Sequence, residues 1–348
     1  MKRIGYVNGV KLYDAIRSWE NVALAVRSSC KQYPRDPTVV KMKLNPLPYI
    51  VAAKQILDDE SFHWSRFITK EIFERGKWRH LCYTRTFPDR VIQHAVMQII
   101  GPILMTGCIS TSYASREGVG IHRGAKRVQK GLRRMEGKTY TGKGDVEKFF
   151  NKVPRERLWE KLKRKLKCRR TLEILHRMIF EAPESGLLIG LLISQILSTF
   201  YLFAFDHYAK EILRIKEYHR YADDYTVTHE SKLKTHFYMR HLKAFLEREG
   251  LKVKDNWQVF PTEVRGVDFL GFVIRRDFML LRKRVKVAYI RSTNRIVKTV
   301  KHSEPVDAHM MDSEQSRRSM AEWCDSNHLL KIHFGRMDRA LAIGPEAI

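Results

Sequence analysis

The sequence predicts a mixed α/β (α+β) fold, antiparallel strands combined with many helices. Three observations lead there. Residues 221–225, Tyr-Ala-Asp-Asp-Tyr, set a tight acidic turn between short β-forming runs, the pattern of a hairpin. Residues 140–145 read as a short strand that ends in an acid, Asp145. Around these strands lie segments whose apolar residues recur at helical spacing, among them 89–105, 155–181 and 236–249. A chain of 348 residues suffices for two or three subdomains with sizeable cores.

Taken in order, residues 1–60 read as basic helices. Leu12, Ile16, Trp19, Val22 and Ala23 recur at helical spacing, and Lys11, Arg17, Arg27, Lys31 and Arg35 charge the arm. Residues 62–86 interleave Phe62, Trp64, Phe67, Ile68, Trp78 and Tyr83 with cations. That mixture suits either strand-bound nucleic acid or a half-buried sheet with snorkelling cations. Val91, Ile92, Ala95, Val96, Ile99 and Ile100 predict a buried helix over 89–105. A turn-rich stretch at 112–120 precedes a basic helix over 122–135. Residues 155–181 are amphipathic, with Leu158, Trp159, Leu162 and Leu166 on one side and Lys161, Lys163, Arg164, Lys165 and Lys167 on the rest. A long apolar helix over 190–215 leads into the 221–225 hairpin, and a basic amphipathic helix over 236–249 is broken by Gly250. Short strands follow at 251–253, 258–260 and 269–274. Near residue 276 the composition shifts to dense Lys and Arg, with a helix over 314–342, and this shift marks a boundary.

Lys+Arg number 65 against 38 Asp+Glu, a formal net charge of +27. Soluble domains usually stay within about 8, so a phosphate-rich partner is expected, nucleic acid before anionic membrane. The five cysteines, Cys30, Cys82, Cys108, Cys168 and Cys324, are scattered and never spaced as Cys-x-x-Cys, which argues against a disulfide framework or a zinc site. A reducing, cytoplasmic setting follows, and Met1-Lys2-Arg3-Ile4-Gly5 leads into no apolar signal core. Residues 186–205 carry no charge and are long enough to span a bilayer. Gly186, Gly190, Ser194, Gln195, Ser198 and Thr199 within them favour a core helix over a membrane span.

Three acids stand out: Asp145, Asp223 and Asp224. If the strand and the hairpin share a sheet, three carboxylates converge. Oxygen ligands without His or Cys favour Mg²⁺, two ions, with Mn²⁺ as the alternative. Such a pair serves in-line nucleotidyl transfer, activating a 3′-hydroxyl and stabilising a leaving pyrophosphate.

Here the chain resembles a reverse transcriptase, over about residues 60–300. Tyr221-Ala222-Asp223-Asp224 is similar to that family's Tyr-x-Asp-Asp box, and Gly144-Asp145-Val146-Glu147-Lys148-Phe149-Phe150 to its first catalytic segment. Residues 89–95 and 112–122 resemble finger segments of bacterial members, and Arg265-Gly266-Val267-Asp268-Phe269-Leu270-Gly271-Phe272 resembles the last palm segment, near the primer end. The resemblance implies a right-hand polymerase: an N-terminal basic helical extension (1–60), fingers (61–139), a palm of antiparallel sheet plus helices (140–275, including 155–181) and a helical thumb (276–348). It implies catalytic Asp145, Asp223 and Asp224, with Val146 a further metal contact. Nucleotide contacts would be Arg79, Phe149, Phe150, Ile189, Gly190, Gln195, Tyr221, Ala222 and Lys254. Phe150 would be the steric gate against a ribose 2′-hydroxyl, with one of the two phenylalanines a core aromatic. Lys77 and Arg85 are alternatives to Arg79 at the triphosphate, and Lys252 to Lys254 as proton donor. Primer and template contacts would be Arg116 (or a structural role in its turn), Ser194, Leu270, Gly271, Arg282 and Lys283.

One box narrows the resemblance. Ile189-Gly190-Leu191-Leu192-Ile193-Ser194-Gln195 departs from the usual Gln-Gly-x-x-x-Ser-Pro and is similar to the form in diversity-generating retroelement reverse transcriptases, as is Asn256-Trp257-Gln258-Val259-Phe260-Pro261. This implies error-prone cDNA made from a template-repeat RNA, with misincorporation mainly opposite adenine. The partners would be RNA template, RNA–DNA hybrid, dNTPs and a small basic accessory protein, with no membrane. Gln at 189 could hydrogen-bond near an incoming nucleotide; Ile cannot, a loss of about 0.5–1.5 kcal/mol. Plain packing of Ile189 is the bland alternative. The absence of an endonuclease or metal-finger module fits the retroelement class better than mobile group II intron enzymes. An antiviral-defence or group II-like reverse transcriptase is the alternative, and a non-catalytic RNA-binding protein on a polymerase fold the alternative of another class.

Overall fold

A computed structural model describes the chain except for residues 1–2, 32, 75–76, 117, 184 and 344–348. Along the chain run β1 (Tyr6–Val7), β2 (Val10–Lys11), α1 (Leu12–Ile16), α2 (Trp19–Ser29), α3 (Pro37–Leu44), α4 (Leu47–Asp58), β3 (Ile68–Glu74), β4 (Lys77–Tyr83), α5 (Val91–Met105) and α6 (Ile121–Arg134). Then come β5 (Tyr140–Asp145), α7 (Phe149–Lys152), α8 (Arg155–Lys165), α9 (Arg169–Phe180), α10 (Leu192–Tyr201), α11 (Phe203–His207), β6 (Glu217–Tyr221), β7 (Asp224–His229) and α12 (Lys232–Arg248). The remainder holds β8 (Gln258–Pro261), α13 (Thr262–Arg265), β9 (Val267–Phe269), β10 (Phe272–Ile274), β11 (Met279–Leu281), α14 (Lys283–Lys301), α15 (Ala308–Glu322) and α16 (Asn327–Ile343). The fold is the expected mixed α/β (α+β) type, with antiparallel sheets and many helices.

The chain forms two compact units. The first contains residues 1–115, 146–212 and 242–254. Its helical arm starts where Ser18 Oγ accepts from Asn21 N at 3.2 Å, capping α2. Buried Asn21 then donates to the Ile16 and Ala95 carbonyls, tying α2 to α5. The hairpin of β3 and β4 runs in register from Ile68 opposite Tyr83 to Glu74 opposite Lys77.

Three expectations fail in this unit: the strand expected at 251–253 is reduced to an isolated bridge at Val253, and two helices are broken. The amphipathic 155–181 stretch is two helices, because Leu166 turns extended (φ −107°, ψ 143°) and bridges Ile4. Ile4 N donates to the Lys165 carbonyl and Lys167 N to the Ile4 carbonyl, replacing helix bonds that the break removes. The long apolar helix of 190–215 is also broken. It becomes α10, α11 and a π-helical turn at Tyr208–Ile212, with Leu202 off helical geometry (φ −85°, ψ 5°). The rings take different partners across the break: Phe200 lies edge-on to Phe203, while Tyr208 stacks on Phe245 at 4.6 Å. Among the described residues no helix is long and apolar enough to cross a membrane.

The second unit contains residues 116–145, 213–241 and 255–348. Its centre is a four-stranded antiparallel sheet in the order β6-β7-β5-β8. Buried Thr141 meets Thr228 Oγ1 at 3.0 Å and Thr262 Oγ1 at 2.9 Å, so three hydroxyls satisfy one another across the strands. Gly142 lets α12 sit close, since a Cβ there would fall 2.5 Å from Met239. A separate three-stranded sheet, β11-β10-β9, follows. The C-terminal helices α14 to α16 enclose their own core of Ile296, Val297, Met337 and Ala340. Trp323, at the end of α15, stacks on His122 of α6 at 4.4 Å and takes Lys126 over its face.

Candidate active site

The second unit builds an acidic turn. Strands β6 and β7 close with Tyr221 opposite Asp224, which leaves Ala222 and Asp223 as a two-residue loop. Ala222 takes a left-handed backbone (φ 52°), the feature such tight turns need. Without a glycine this costs about 1–2 kcal/mol. Arg220, 0% exposed, secures the turn from beneath: its guanidinium donates to the Ala222 carbonyl at 2.9 Å.

Asp145 enters from β5. Antiparallel pairing sets it directly opposite Asp224, where Cα atoms lie about 4.5–5.5 Å apart. The three acids are therefore gathered at one end of one sheet. Gly144 makes this approach feasible: a Cβ there would lie 2.3 Å from the ring of Tyr225, so the tyrosine packs over bare backbone.

The electrostatics reveal the cost of crowding carboxylates. Burial, with Asp145 and Asp223 adding repulsion, pushes the Asp224 carboxyl up to about 6 against the pull of Lys143 and Arg282. Asp224 Oδ1 is buried without a hydrogen-bond partner, while Oδ2 lies 3.4 Å from Lys143 Nζ. Lys143 also donates to the Asp268 carbonyl at 2.7 Å, and the Asp268 carboxylate pairs with Arg282.

This donor set fits a hard divalent cation: all oxygen, one buried oxygen unsatisfied, excess negative charge. Yet among the described residues no three Asp, Glu, His or Cys side chains are gathered closely enough to cage a metal as they stand. The Lys143 ammonium already sits against Asp224.

Of the primer-side candidates, Arg116, Leu270, Gly271, Arg282 and Lys283 fall in the same unit. Leu270 (φ 57°) and Gly271 (φ 92°) form the two-residue turn between β9 and β10. Two consecutive left-handed residues make it a type I′ turn. Arg282 N donates to the Gly271 carbonyl, and exposed Lys283 begins α14. Arg116 is half-buried in a turn where its carbonyl accepts from Val119 N at 3.3 Å. Tyr221 is 38% exposed beside the acids.

The first unit gathers a second set of candidates. Leu187 N donates to the Phe150 carbonyl at 2.7 Å, and Cys82 N to the Ile189 carbonyl at 3.1 Å. Phe150, Ile189 and the end of β4 are thus joined by backbone bonds. Gly190 (φ 116°) brings this loop within 3.1 Å of the Cys82 carbonyl, measured from where a Cβ would be. Phe149 is buried and Phe150 half-buried, their rings edge-on at 5.6 Å. Ser194 is buried in α10; the carbonyl of exposed Gln195 accepts from Ser115 Oγ at 3.2 Å. Val146 bridges Val253, so Lys252 and Lys254 flank the segment after Asp145. Of these two, Lys252 pairs with Glu147 at 3.5 Å; Lys254 is half-buried. Arg79 lies on β4 opposite Ile72, with its side chain, like that of Lys77, outside the described residues.

Three residues of the acidic site escape the sequence reading: Lys143, Arg220 and Asp268. A signal exists for Lys143. It lies two residues before Asp145 on one strand, so both side chains share a face. Nothing in the sequence marks Arg220 as buried or links Asp268 to Lys143.

Residues 68–274, more than half of the chain, match the family described as Reverse transcriptase (RNA-dependent DNA polymerase). Among solved structures the chain is similar in fold to telomerase from Candida albicans in complex with a TWJ fragment of telomeric RNA. The TM-score is 0.50 at 11% identity, over 85% of this chain and 58% of that one. The chain thus spans little more than half the length of that telomerase chain. No curated protein matches the sequence.

Proposed function

The chain belongs to the reverse transcriptase family, and from that premise we propose that it is an RNA-directed DNA polymerase working at Asp145, Asp223 and Asp224. One observation carries the reading: the strand register that sets Asp145 opposite Asp224, beside the turn that presents Asp223. These acids, with Val146 as a further contact, would hold two Mg²⁺ ions (or Mn²⁺), which supply charge neutralisation at a primer 3′-hydroxyl and a leaving pyrophosphate.

The remaining roles belong to the chain's own groups. Phe150, half-buried where its neighbour Phe149 is not, offers a ring edge to exclude a 2′-hydroxyl. The Leu270–Gly271 turn would lie at the primer end. Arg282, Lys283 and the basic helix α14 would grip the phosphates of an RNA–DNA hybrid without reading sequence. On this reading residues 61–139, 140–275 and 276–348 serve as fingers, palm and thumb, after a basic extension.

The finer reading is that of a diversity-generating retroelement enzyme, making error-prone cDNA from a template-repeat RNA in the cytoplasm with a small basic accessory protein. It rests on the Ile189-to-Gln195 box. The test is sequencing of cDNA made on such an RNA with Mg²⁺, tallied by template base. Errors concentrated opposite adenine, reduced up to about tenfold by Ile189→Gln, are expected. An even error spectrum rejects the subtype and leaves the polymerase; no synthesis on any primed RNA rejects both.

A further inference from the structure

We propose that Lys143 is a built-in counter-ion of the acidic site: its ammonium neutralises Asp224 in the metal-free protein and competes with the divalent cation for it. The inference rests on the metal-dependent reading above. The geometry is specific. Lys143 and Asp145 are two residues apart on β5 and share a face of the strand. Lys143 Nζ stands 3.4 Å from Asp224 Oδ2, and the side chain is only 22% exposed. It is anchored on its other side by the Asp268 carbonyl at 2.7 Å. Arg282 holds the Asp268 side chain in turn.

An ammonium with two anchors has two states open to it. It can bridge Asp224 and the Asp268 carbonyl, or keep the carbonyl alone and release Asp224. A doubly charged ion against Asp224 is repelled by the ammonium in the first state and tolerated in the second. Lys143 is thus a positioning residue. It keeps the sheet end intact when no cation is bound and raises the cation concentration needed to load it.

The test is calorimetric titration of Mn²⁺ into the metal-free full chain, with Tm recorded before and after. Lys143→Met and Lys143→Gln should each bind Mn²⁺ about tenfold more tightly or better, the size of one unit-charge repulsion across a few ångström in partly solvated surroundings. Both should melt lower than the native chain without metal and gain more in Tm when metal is added. Lys143→Arg should stay near the native affinity. Equal or weaker binding by both neutral variants, with binding still abolished by Asp145→Asn/Asp224→Asn, overturns the role of Lys143 and leaves the metal site standing. Binding that survives the double asparagine variant overturns the metal site, and this inference with it.

Discussion

Two tight turns of the second unit use one backbone device for opposite ends. Each joins antiparallel strands through two residues, Ala222–Asp223 in one and Leu270–Gly271 in the other. Each starts with a non-glycine residue forced left-handed, Ala222 at φ 52° and Leu270 at φ 57°. The first concentrates charge: Asp223 and Asp224 meet Asp145, and buried Arg220 must hold the turn's carbonyl. The second concentrates apolar packing: Leu270 is buried, and Gly271 lies against Met320 and Val285. The apolar turn is held by that packing and by Arg282 N, which donates to the Gly271 carbonyl at 2.9 Å. The acidic turn is held against its own repulsion by a buried guanidinium.

The two turns should differ most in their effect on activity. Asp223→Ala/Asp224→Ala should abolish primer extension on RNA by about a thousandfold or more, since metal-linked charge stabilisation is worth several kcal/mol. The double variant should still melt cooperatively. Synthesis at the native rate would show that the acidic turn is merely a turn.

Next in size is Arg220→Met. It strips a buried donor from the Ala222 carbonyl and should cost about 3 kcal/mol in urea unfolding. The acidic turn depends on a buried side-chain donor, whereas the apolar turn's Gly271 carbonyl accepts from the Arg282 backbone; an unchanged unfolding midpoint would remove that distinction.

The glycines give a smaller contrast. Gly144→Ala drives a Cβ to 2.3 Å from the Tyr225 ring, wedged in a buried strand, and should cost about 2–3 kcal/mol. Gly271→Ala meets the mobile tip of Met320 at 2.8 Å at φ 92°, and about 1–2 kcal/mol is expected. The reverse order would mean that the strand beneath the acids tolerates repacking.

The smallest effect is on pH dependence. Asp224 titrates higher in the folded chain, about 6, than its ordinary 3.8, because burial opposes its charge. The folded state therefore holds the proton more tightly than the unfolded one. This contribution to stability is full below about 3.8 and lost as pH rises through about 6. In metal-free buffer Asp224→Asn should flatten the stability profile across that window, by roughly 1–2 kcal/mol after allowance for partial solvation. No substitution in the apolar turn should touch it. An unchanged profile would place the penalty on another acid.

Much of this was legible in the sequence. Alternating β-formers around Asp223–Asp224 announce a hairpin, and the strand ending at Asp145 is found at 140–145 as expected. The helices over 89–105, 122–135 and 236–249 are present, with ends shifted by a few residues. The stretch expected as one strand at 269–274 is interrupted by the Leu270–Gly271 turn, and 314–342 falls in two helices, α15 and α16. The two broken helices of the first unit have a cause in common. Leu166 and Leu202 break helices that periodicity would carry onward, and what breaks them comes from elsewhere in the chain. Ile4 pairs at the first break, and ring packing redirects the second.

The chemistry on offer is legible in the chain alone: three oxygen acids at strand ends, aromatics four and five residues after the first, and a large cationic excess. Those features are carried by residue type and short spacing, which local sterics convert into strands and turns. The pairing of Asp145 with Asp224, the burial of Arg220 beneath the turn and the reach of Lys143 from Asp268 to Asp224 arise in the folded chain. Each of these depends on register between segments tens of residues apart, and a slip of one residue would turn every side chain to the other face of the sheet.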